Sequence, residues 1–127
     1  MQFSLASPRA SVEQDDEGEH VKELVYHRQL LPAVERNADR TAFFDGEYTA
    51  TFAEHFDRVG RLSAALDGIG VTRGDRFAVM ALNSHQFLEC YHAAFLGAGV
   101  INPLNLRLAP KELEYILGDS EIGRAHV

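Results

Sequence analysis

The chain has 127 residues, of which 46% are apolar and 24% are charged, enough for one modest hydrophobic core. This composition predicts one domain or part of one, and it excludes a chain that is disordered throughout. The formal net charge is -7, and Lys22 and Lys111 are the only lysines, which argues against a nucleic-acid partner because phosphate binding needs a clustered basic surface.

The sequence contains few features that indicate a cellular compartment. Cys90 is the only cysteine, so the chain forms no internal disulfide, which fits a reducing compartment. Residues Met1 to Ala10 lack the basic and apolar regions of a secretory signal. The longest apolar run, Ala93 to Ile101, is less than half of the roughly 20 residues that a membrane-spanning helix needs. We therefore expect a cytoplasmic protein without a transmembrane segment.

The first part of the chain changes character near residue 20. Residues Met1 to Glu19 are small, polar and acidic, a composition that predicts a disordered leader. Between His27 and Ala38, apolar residues recur at helical spacing and predict a short amphipathic helix. The segments Thr41 to Phe44 and Glu47 to Ala50 flank Asp45-Gly46, which predicts a small hairpin because this dipeptide suits a tight turn.

A second helix is expected from Thr51 to about Asp67. Thr51 and Glu54 have the spacing of a capping box, in which each side chain satisfies a free amide at the start of a helix. Gly68 and Gly70 are placed to end this helix. Its apolar residues form one stripe, which consists of Phe52, Phe56, Val59, Leu62, Leu66 and Ile69.

The next segments predict a βαβ unit. Phe77 to Leu82 is almost wholly apolar, as in a parallel strand covered on both faces. A helix from Ser84 to Leu96 follows, with Asn83 and Gln86 as a capping box and with Phe87, Tyr91 and Phe95 on one face. Val100 to Pro103 is the next buried strand, parallel to the first. A last helix has Pro110 at its first position and ends at Gly118.

The glycines and histidines invite functional interpretations that their context does not support. Gly97-Ala98-Gly99 ends a helix, whereas a dinucleotide-binding loop lies between a strand and the helix after it, so a tight turn is predicted. The pairs His85 and His92, and His20 and His27, are seven residues apart, too far for a shared metal ion on one helix, and we expect surface or boundary histidines.

The remaining polar residues also favour structural roles. Cys90 and His92 point in different directions on a helix, so an inert, buried thiol is predicted rather than a nucleophile and its base. Lys111, Glu112 and Glu114 are typical of a solvated helix face. No Gly-Lys pair and no marked Ser/His/Asp arrangement occurs. The sequence therefore assigns no catalytic, cofactor-binding or metal-binding residue.

Four spaced segments together resemble the opening of the AMP-forming acyl-CoA synthetases, which belong to the adenylate-forming superfamily. Thr51-Phe52-Ala53-Glu54 is similar to the first core motif of that family, with Phe52 in place of the usual tyrosine. Gly70 to Arg76 resembles the turn before the first buried strand, and Asn83-Ser84 resembles the exit from that strand. Leu96 to Asn105 is similar to the second core motif, and the resemblance extends over roughly Leu30 to Asp119.

The resemblance implies a ligase that activates a carboxylic acid with ATP and magnesium as an acyl-adenylate and transfers the acyl group to coenzyme A. Pro103-Leu104-Asn105 is closer to the acyl-CoA synthetase form of the motif, which favours a fatty or related acid. In the family, the phosphate loop, the adenine and ribose motifs and the catalytic lysine lie in later segments. We therefore expect an inactive fragment that binds none of these cofactors, with an α/β fold containing the βαβ unit and the hairpin.

The end of the chain departs from the family pattern. Glu121 to Val127 can be back-translated to a sequence that contains the start of a common sequencing adapter. The expected division is a disordered acidic leader at 1–19, a truncated N-terminal part of an AMP-binding domain at 20–120 and a non-native tail at 121–127. A genuine divergent terminus is the alternative for the tail. A stand-alone flavodoxin-like module that binds a protein partner is the alternative for the whole chain.

Overall fold

A computed structural model describes residues 26–122 and 124–126, with the side chains of His27 and of residues 124–126 left out. The predicted acidic leader and His20 lie outside the described residues. The non-native origin expected for residues 121–127 stays a prediction. In the part of the chain that the structure describes, no helix is both long enough and apolar enough to cross a bilayer.

The first helix and the hairpin are where the sequence predicted them. Helix α1 covers Tyr26–Arg36 and buries Val34 in the core. Strands β1 (Thr41–Asp45) and β2 (Tyr48–Thr51) pair antiparallel. Gly46 in the turn has a φ of 60°, the left-handed conformation that favours glycine.

Helix α2 spans Phe52–Gly68 and begins with the predicted capping box. The Glu54 amide donates to the Thr51 hydroxyl at 3.2 Å, and the Thr51 amide donates to the Glu54 carboxylate at 2.9 Å. In the predicted apolar stripe, Phe56, Val59 and Leu66 are buried. Ile69 lies beyond the end of the helix and is 38% exposed.

Three parallel strands form the main sheet, in the order β4-β3-β5. They are β3 (Arg76–Val79), β4 (Val100–Pro103) and β5 (Arg124–His126). The prediction of adjacent parallel strands β3 and β4 is confirmed, with Phe77 opposite Ile101. The sequence did not predict β5, which pairs with the other edge of β3.

Two details of the strand prediction were wrong. The first strand ends at Val79 and not at Leu82, because β4 offers only four partner residues, and Leu82 is 74% exposed. The second strand is not wholly buried, since β4 lies at an edge of the sheet and its Val100 is 49% exposed.

Helix α3 covers His85–Ala93 and continues into a wider π-type turn at Ala94–Ala98. The predicted capping box of Asn83 and Gln86 was wrong by one residue. The cap is Ser84, whose hydroxyl accepts from the Phe87 amide at 3.3 Å. The cap therefore lies directly before the first helical residue, and Asn83 stays exposed.

Gly97 and Gly99 end this helix as predicted, with φ values of 103° and 142°. A Cβ at Gly99 would lie 3.1 Å from the Asp75 carbonyl oxygen and equally close to the Val71 and Phe77 side chains. The second glycine therefore allows the chain to pass closely over the start of β3. These glycines have the predicted structural role of a tight turn between helix and strand.

Helix α4 covers Pro110–Asp119 with Pro110 at its start, as predicted. Its predicted end at Gly118 was one residue short. Ser120 is the C-cap, and its amide donates to the Ile116 carbonyl at 3.0 Å. The core lies between α1, α2, α3 and β3, and its buried residues are Val34, Phe56, Val59, Leu66, Val71, Phe77 and Ala93.

Candidate functional site

Ionisable side chains are buried where α2 packs against α3. His55 and Arg58 lie three residues apart on α2, and Glu89 and His92 have the same spacing on α3, so each pair shares one helix face. His55 is 1% exposed and Glu89 is 5% exposed. Buried groups of this kind are rare unless they are paired, so their contacts define the first candidate site.

The two imidazoles contact each other directly. His55 Nε2 lies 2.6 Å from His92 Nδ1, and the other ring nitrogen of His55 is buried without a hydrogen-bond partner. An unpaired lone pair inside a protein costs less than an unpaired N–H, so we assign Nε2–H of His55 as the donor and Nδ1 of His92 as the acceptor. The rings of Phe43 and Phe56 meet the His55 ring edge to face, with centroids 4.9 and 5.0 Å away.

This environment favours the uncharged imidazole. Burial, followed by the charge of His92, lowers the pKa of His55 from 6.5 to about 4. Burial also lowers the pKa of His92. At neutral pH the pair is therefore uncharged, which suits a hydrogen bond but leaves neither ring as an imidazolium that could act as a general acid towards a substrate.

An ion pair lies beside the imidazoles. Arg58 Nε is 2.5 Å from one carboxylate oxygen of Glu89, and an Arg58 terminal nitrogen is 3.2 Å from the other. The hydrogen bond and charge of Glu89 raise the pKa of Arg58. The two-point contact between α2 and α3 is a structural feature, because both charges are occupied by each other.

The hairpin is attached to α3 by a third polar contact. Asp45 Oδ2 accepts from the His85 backbone amide at 2.8 Å and lies 2.7 Å from His85 Nδ1. These hydrogen bonds lower the pKa of the Asp45 carboxyl, the backbone amide contributing most. The Tyr48 ring stacks on the imidazole with centroids 3.8 Å apart. A 240 Å³ cavity adjoins the contact and is lined by Phe43, Phe44, Asp45, Asn83, Ser84, His85 and Leu88.

An apolar groove of 360 Å³ lies between α2 and the end of β3. Its lining residues are Leu62, Ala65, Leu66, Ile69, Phe77, Val79, Met80, Ala81 and Cys90. Burial and the charge of Glu89 raise the pKa of Cys90, which keeps the thiol protonated at neutral pH, as expected for an inert cysteine. The predicted full burial of this thiol was wrong, because Cys90 is only partly buried and lines the groove. The groove offers apolar surface without a reactive group.

The structure places the two histidines of α3 at the boundary of the core, which is one of the two positions expected for them. His85 and His92 are both partly buried and engaged in the contacts described above. Sequence reasoning missed His55 entirely. Its position between Phe52 and Phe56, within the apolar stripe of α2, was the available signal of burial. Lys111, Glu112 and Glu114 are exposed as predicted, and Glu112 caps α4 through the Ala109 amide at 2.8 Å.

The described residues do not fit a magnesium–nucleotide site. Within 26–122 and 124–126, no three carboxylate, imidazole or thiolate side chains converge as metal ligands. The glycine pair lies at the C-terminal end of a helix, where the dipole is negative and disfavours phosphate. We therefore derive no chemical step through nucleotide or metal on this part of the chain.

Comparison with known proteins places this fold in a family. The family described as AMP-binding enzyme matches residues 31–125. A long-chain-fatty-acid–CoA ligase of Thermus thermophilus is 39% identical over 74 residues, which is 58% of this chain and 14% of the relative. A feruloyl-CoA synthase of Amycolatopsis is 40% identical over 80 residues, 63% of this chain and 16% of the relative.

Solved structures agree with this assignment. VinN superimposes with a TM-score of 0.73 at 28% identity, covering 78% of this chain and 26% of VinN. The O-succinylbenzoate coenzyme A synthetase of Bacillus subtilis has a TM-score of 0.69 at 28% identity, covering 74% of this chain and 21% of the synthetase. The expected α/β fold of the N-terminal subdomain of adenylate-forming enzymes is confirmed. The chain belongs to the AMP-binding enzyme family, whose matched relatives are CoA ligases.

Proposed function

We propose that this chain is the N-terminal part of a cytoplasmic, AMP-forming acid–CoA ligase. In the reaction of the whole enzyme, a carboxylate oxygen of the acid attacks the α-phosphorus of ATP and pyrophosphate leaves. The thiol of coenzyme A then attacks the acyl carbon, AMP leaves, and the thiol proton passes to solvent. The match to the family over residues 31–125 is the observation that carries this proposal.

The contribution of this segment is structural. Its buried ionisable side chains are paired with one another across α2, α3 and the hairpin, and the apolar residues build one core. Magnesium, ATP and coenzyme A are expected to bind the longer protein and not these residues alone. We therefore propose that the chain by itself forms no acyl-adenylate, because adenylyl transfer needs positioned cations and amides.

A pyrophosphate-release assay tests both statements. The chain alone, with ATP, magnesium and each acid of a panel, should remain at background. The same chain joined to the remainder of a related CoA ligase should release pyrophosphate in an acid-dependent manner. The related ligase with its own N-terminal part is the matched control. Acid-dependent release by the chain alone would refute the proposed inactivity, and an inactive but folded hybrid would refute the proposed role.

We propose a fatty or related acid as the substrate of the whole enzyme. Support comes from Pro103-Leu104-Asn105 and from the fatty-acid ligase among the relatives. Other relatives are named for aromatic or hydroxylated acids, such as ferulate and 4-hydroxybutyrate. The panel should therefore contain straight-chain acids of several lengths together with benzoate, ferulate and 4-hydroxybutyrate. A preference for the aromatic acids would overturn the fatty-acid assignment.

A stand-alone module that binds a protein partner is not favoured, since the family match covers most of the chain. The two proposals differ in solution behaviour. A piece of a larger domain leaves apolar surface uncovered, so we expect the isolated chain to associate and to melt broadly. A sharp two-state melt of a monomer, measured by calorimetry and light scattering, would instead support the module.

A further inference from the structure

In the part of the chain that the structure describes, His55 of α2 and His92 of α3 are titratable side chains that contact each other directly, and His55 is buried while His92 is partly buried. The rings lie 37 residues apart in the chain and meet through a single 2.6 Å contact. Both members are bases with ordinary pKa values near 6.5, so this contact is sensitive to mildly acidic conditions.

We propose that His55 and His92 form an acid-released latch, which holds α2 against α3 while both imidazoles are uncharged and opens when the pair takes up a proton. The site of uptake follows from the geometry. The Nδ1 atom of His55 is buried without a partner, so a proton there would place an unpaired N–H and a charge in the core. A proton on His92 Nδ1 would remove the acceptor of the shared hydrogen bond.

The groups around His55 do not compensate for that charge. The Glu89 carboxylate of α3 favours the protonated form of His55. This carboxylate is bound to Arg58 of α2, whose positive charge disfavours the protonated form of His55. His85, also on α3, weakly disfavours the protonated form of His55, and its own ring contacts Asp45 of the hairpin.

The other elements around the pair present aromatic rings. Tyr26 of α1 stacks near His92 with centroids 6.3 Å apart, and burial raises the pKa of its hydroxyl, so it stays uncharged under acidic conditions. Phe43 of β1 and Phe56 of α2 contact the His55 ring. Burial is therefore the main reason that the pKa of His55 is lowered.

The sign and size of the pH effect follow from linkage. The pKa of His55 is about 4 in the closed structure and near 6.5 when the ring reaches water. The stabilisation of the closed α2–α3 contact by the uncharged His55 ring is fully present above pH 6.5 and is lost as pH falls from 6.5 towards 4. Between pH 7.5 and 4.5, uptake by His55 alone favours opening by roughly 70-fold, and His92 adds to this in the same direction.

An NMR titration of the whole chain, at a concentration where light scattering shows a monomer, tests the latch directly. Ring Cε1–H shifts of the histidines and amide hydrogen-exchange protection of α2 and α3 are followed from pH 7.5 to 4.5. We expect protection at the α2–α3 contact to fall by about the linkage factor, and His55 to titrate well below 6.5. Titration of His55 near 6.5 with α2 and α3 still protected would overturn the proposal.

Three variants separate the latch from general acid sensitivity. His55→Leu should flatten the loss of protection, because it removes the titrating group and suits the surrounding Phe43 and Phe56. His85→Gln is the matched control on α3 and should keep the response between pH 6.5 and 4. If His55→Leu loses amide protection with falling pH as the unmodified chain does, the proposal is overturned.

His92→Gln decides the question if His55→Leu does not fold. Glutamine can still accept from His55 Nε2–H but cannot carry the charge that lowers the His55 pKa. The titration midpoint of His55 should therefore move to higher pH than in the unmodified chain. A midpoint that stays unchanged would mean that the two rings do not act as a pair, and the proposal would fail.

Discussion

The ion pair between Arg58 of α2 and Glu89 of α3 allows a test of how burial changes the stabilisation that a charge pair provides. Arg58 on α2 binds Glu89 on α3 through two hydrogen bonds, and their side chains are 38% and 7% exposed. Asp57 and Arg61 form a second pair on α2 at 3.0 Å, with side chains 52% and 69% exposed. The second pair also joins an arginine to a carboxylate, but both of its side chains are exposed, so it is the matched control.

We expect unequal effects from the two halves of the buried pair. Arg58→Ala leaves a buried carboxylate without a partner, which typically costs about 3 to 5 kcal/mol. Glu89→Ala should cost less, about 2 kcal/mol, because the Arg58 guanidinium can turn towards water and keep part of its hydration. In the control pair, Asp57→Ala and Arg61→Ala should show a coupling free energy of about 0.3 to 0.5 kcal/mol.

A double-mutant cycle in urea at 25 °C, at a chain concentration where light scattering shows a monomer, measures the coupling free energy of each pair. For Arg58 and Glu89 we expect about 2 kcal/mol or more, since the double variant leaves no unpaired charge behind. Added salt should weaken the control pair more than the buried pair. If Arg58→Ala is unfolded, Glu89→Gln preserves the shape of the side chain and supplies the second measurement. Equal coupling in the two pairs, or a larger cost for Glu89→Ala than for Arg58→Ala, would refute the reasoning.

Three further changes probe other parts of the fold, each by urea unfolding. Gly99→Ala should destabilise the fold by about 1 to 3 kcal/mol through backbone strain, because φ is 142° and a Cβ would meet the Asp75 carbonyl. A Cβ at Gly60 would meet nothing within 4 Å, so Gly60→Ala should stabilise α2 by about 1 kcal/mol, and equal effects of the two changes would contradict this reasoning. Phe77→Ala in the core should cost about 3 to 5 kcal/mol, and Phe95→Ala should cost clearly less because that ring is 48% exposed. Thr51→Ala removes the α2 cap and should cost about 1 kcal/mol, an effect absent if the hydroxyl bond to Glu54 does not form.

The sequence predicted those elements whose cause is local. The Thr51 and Glu54 capping box, the Asp45-Gly46 turn and the glycines after α3 each act within a few residues, and the structure contains all three. The βαβ unit was predictable because apolar strands flank an amphipathic helix. Strand β5 was not, since Arg124 to His126 has no apolar pattern and is a strand only through its pairing with β3.

The aromatic face predicted for α3 is not its most buried face. Phe87, Tyr91 and Phe95 lie together on one face as predicted, but Phe87 and Tyr91 are only partly buried and Phe95 is 48% exposed. The face that meets α2 and the hairpin carries His85, Glu89 and His92, which follow each other at four and three residues, the spacing of one helical stripe. A periodicity search for apolar residues overlooks such a stripe.

That polar stripe of α3 also explains why the contacts of this site are long-range. Each of its three residues requires a partner that the sequence places 31 to 40 residues earlier: Asp45, His55 and Arg58. Each stripe residue is matched with one partner, so a shift of α3 by one turn would break all three contacts and leave Glu89 buried without Arg58. Apolar packing alone tolerates such a shift better, because apolar contacts lack direction. We therefore infer that the partly buried polar stripe fixes the register of α3 against α2, while the core residues supply most of the free energy that holds the two helices together.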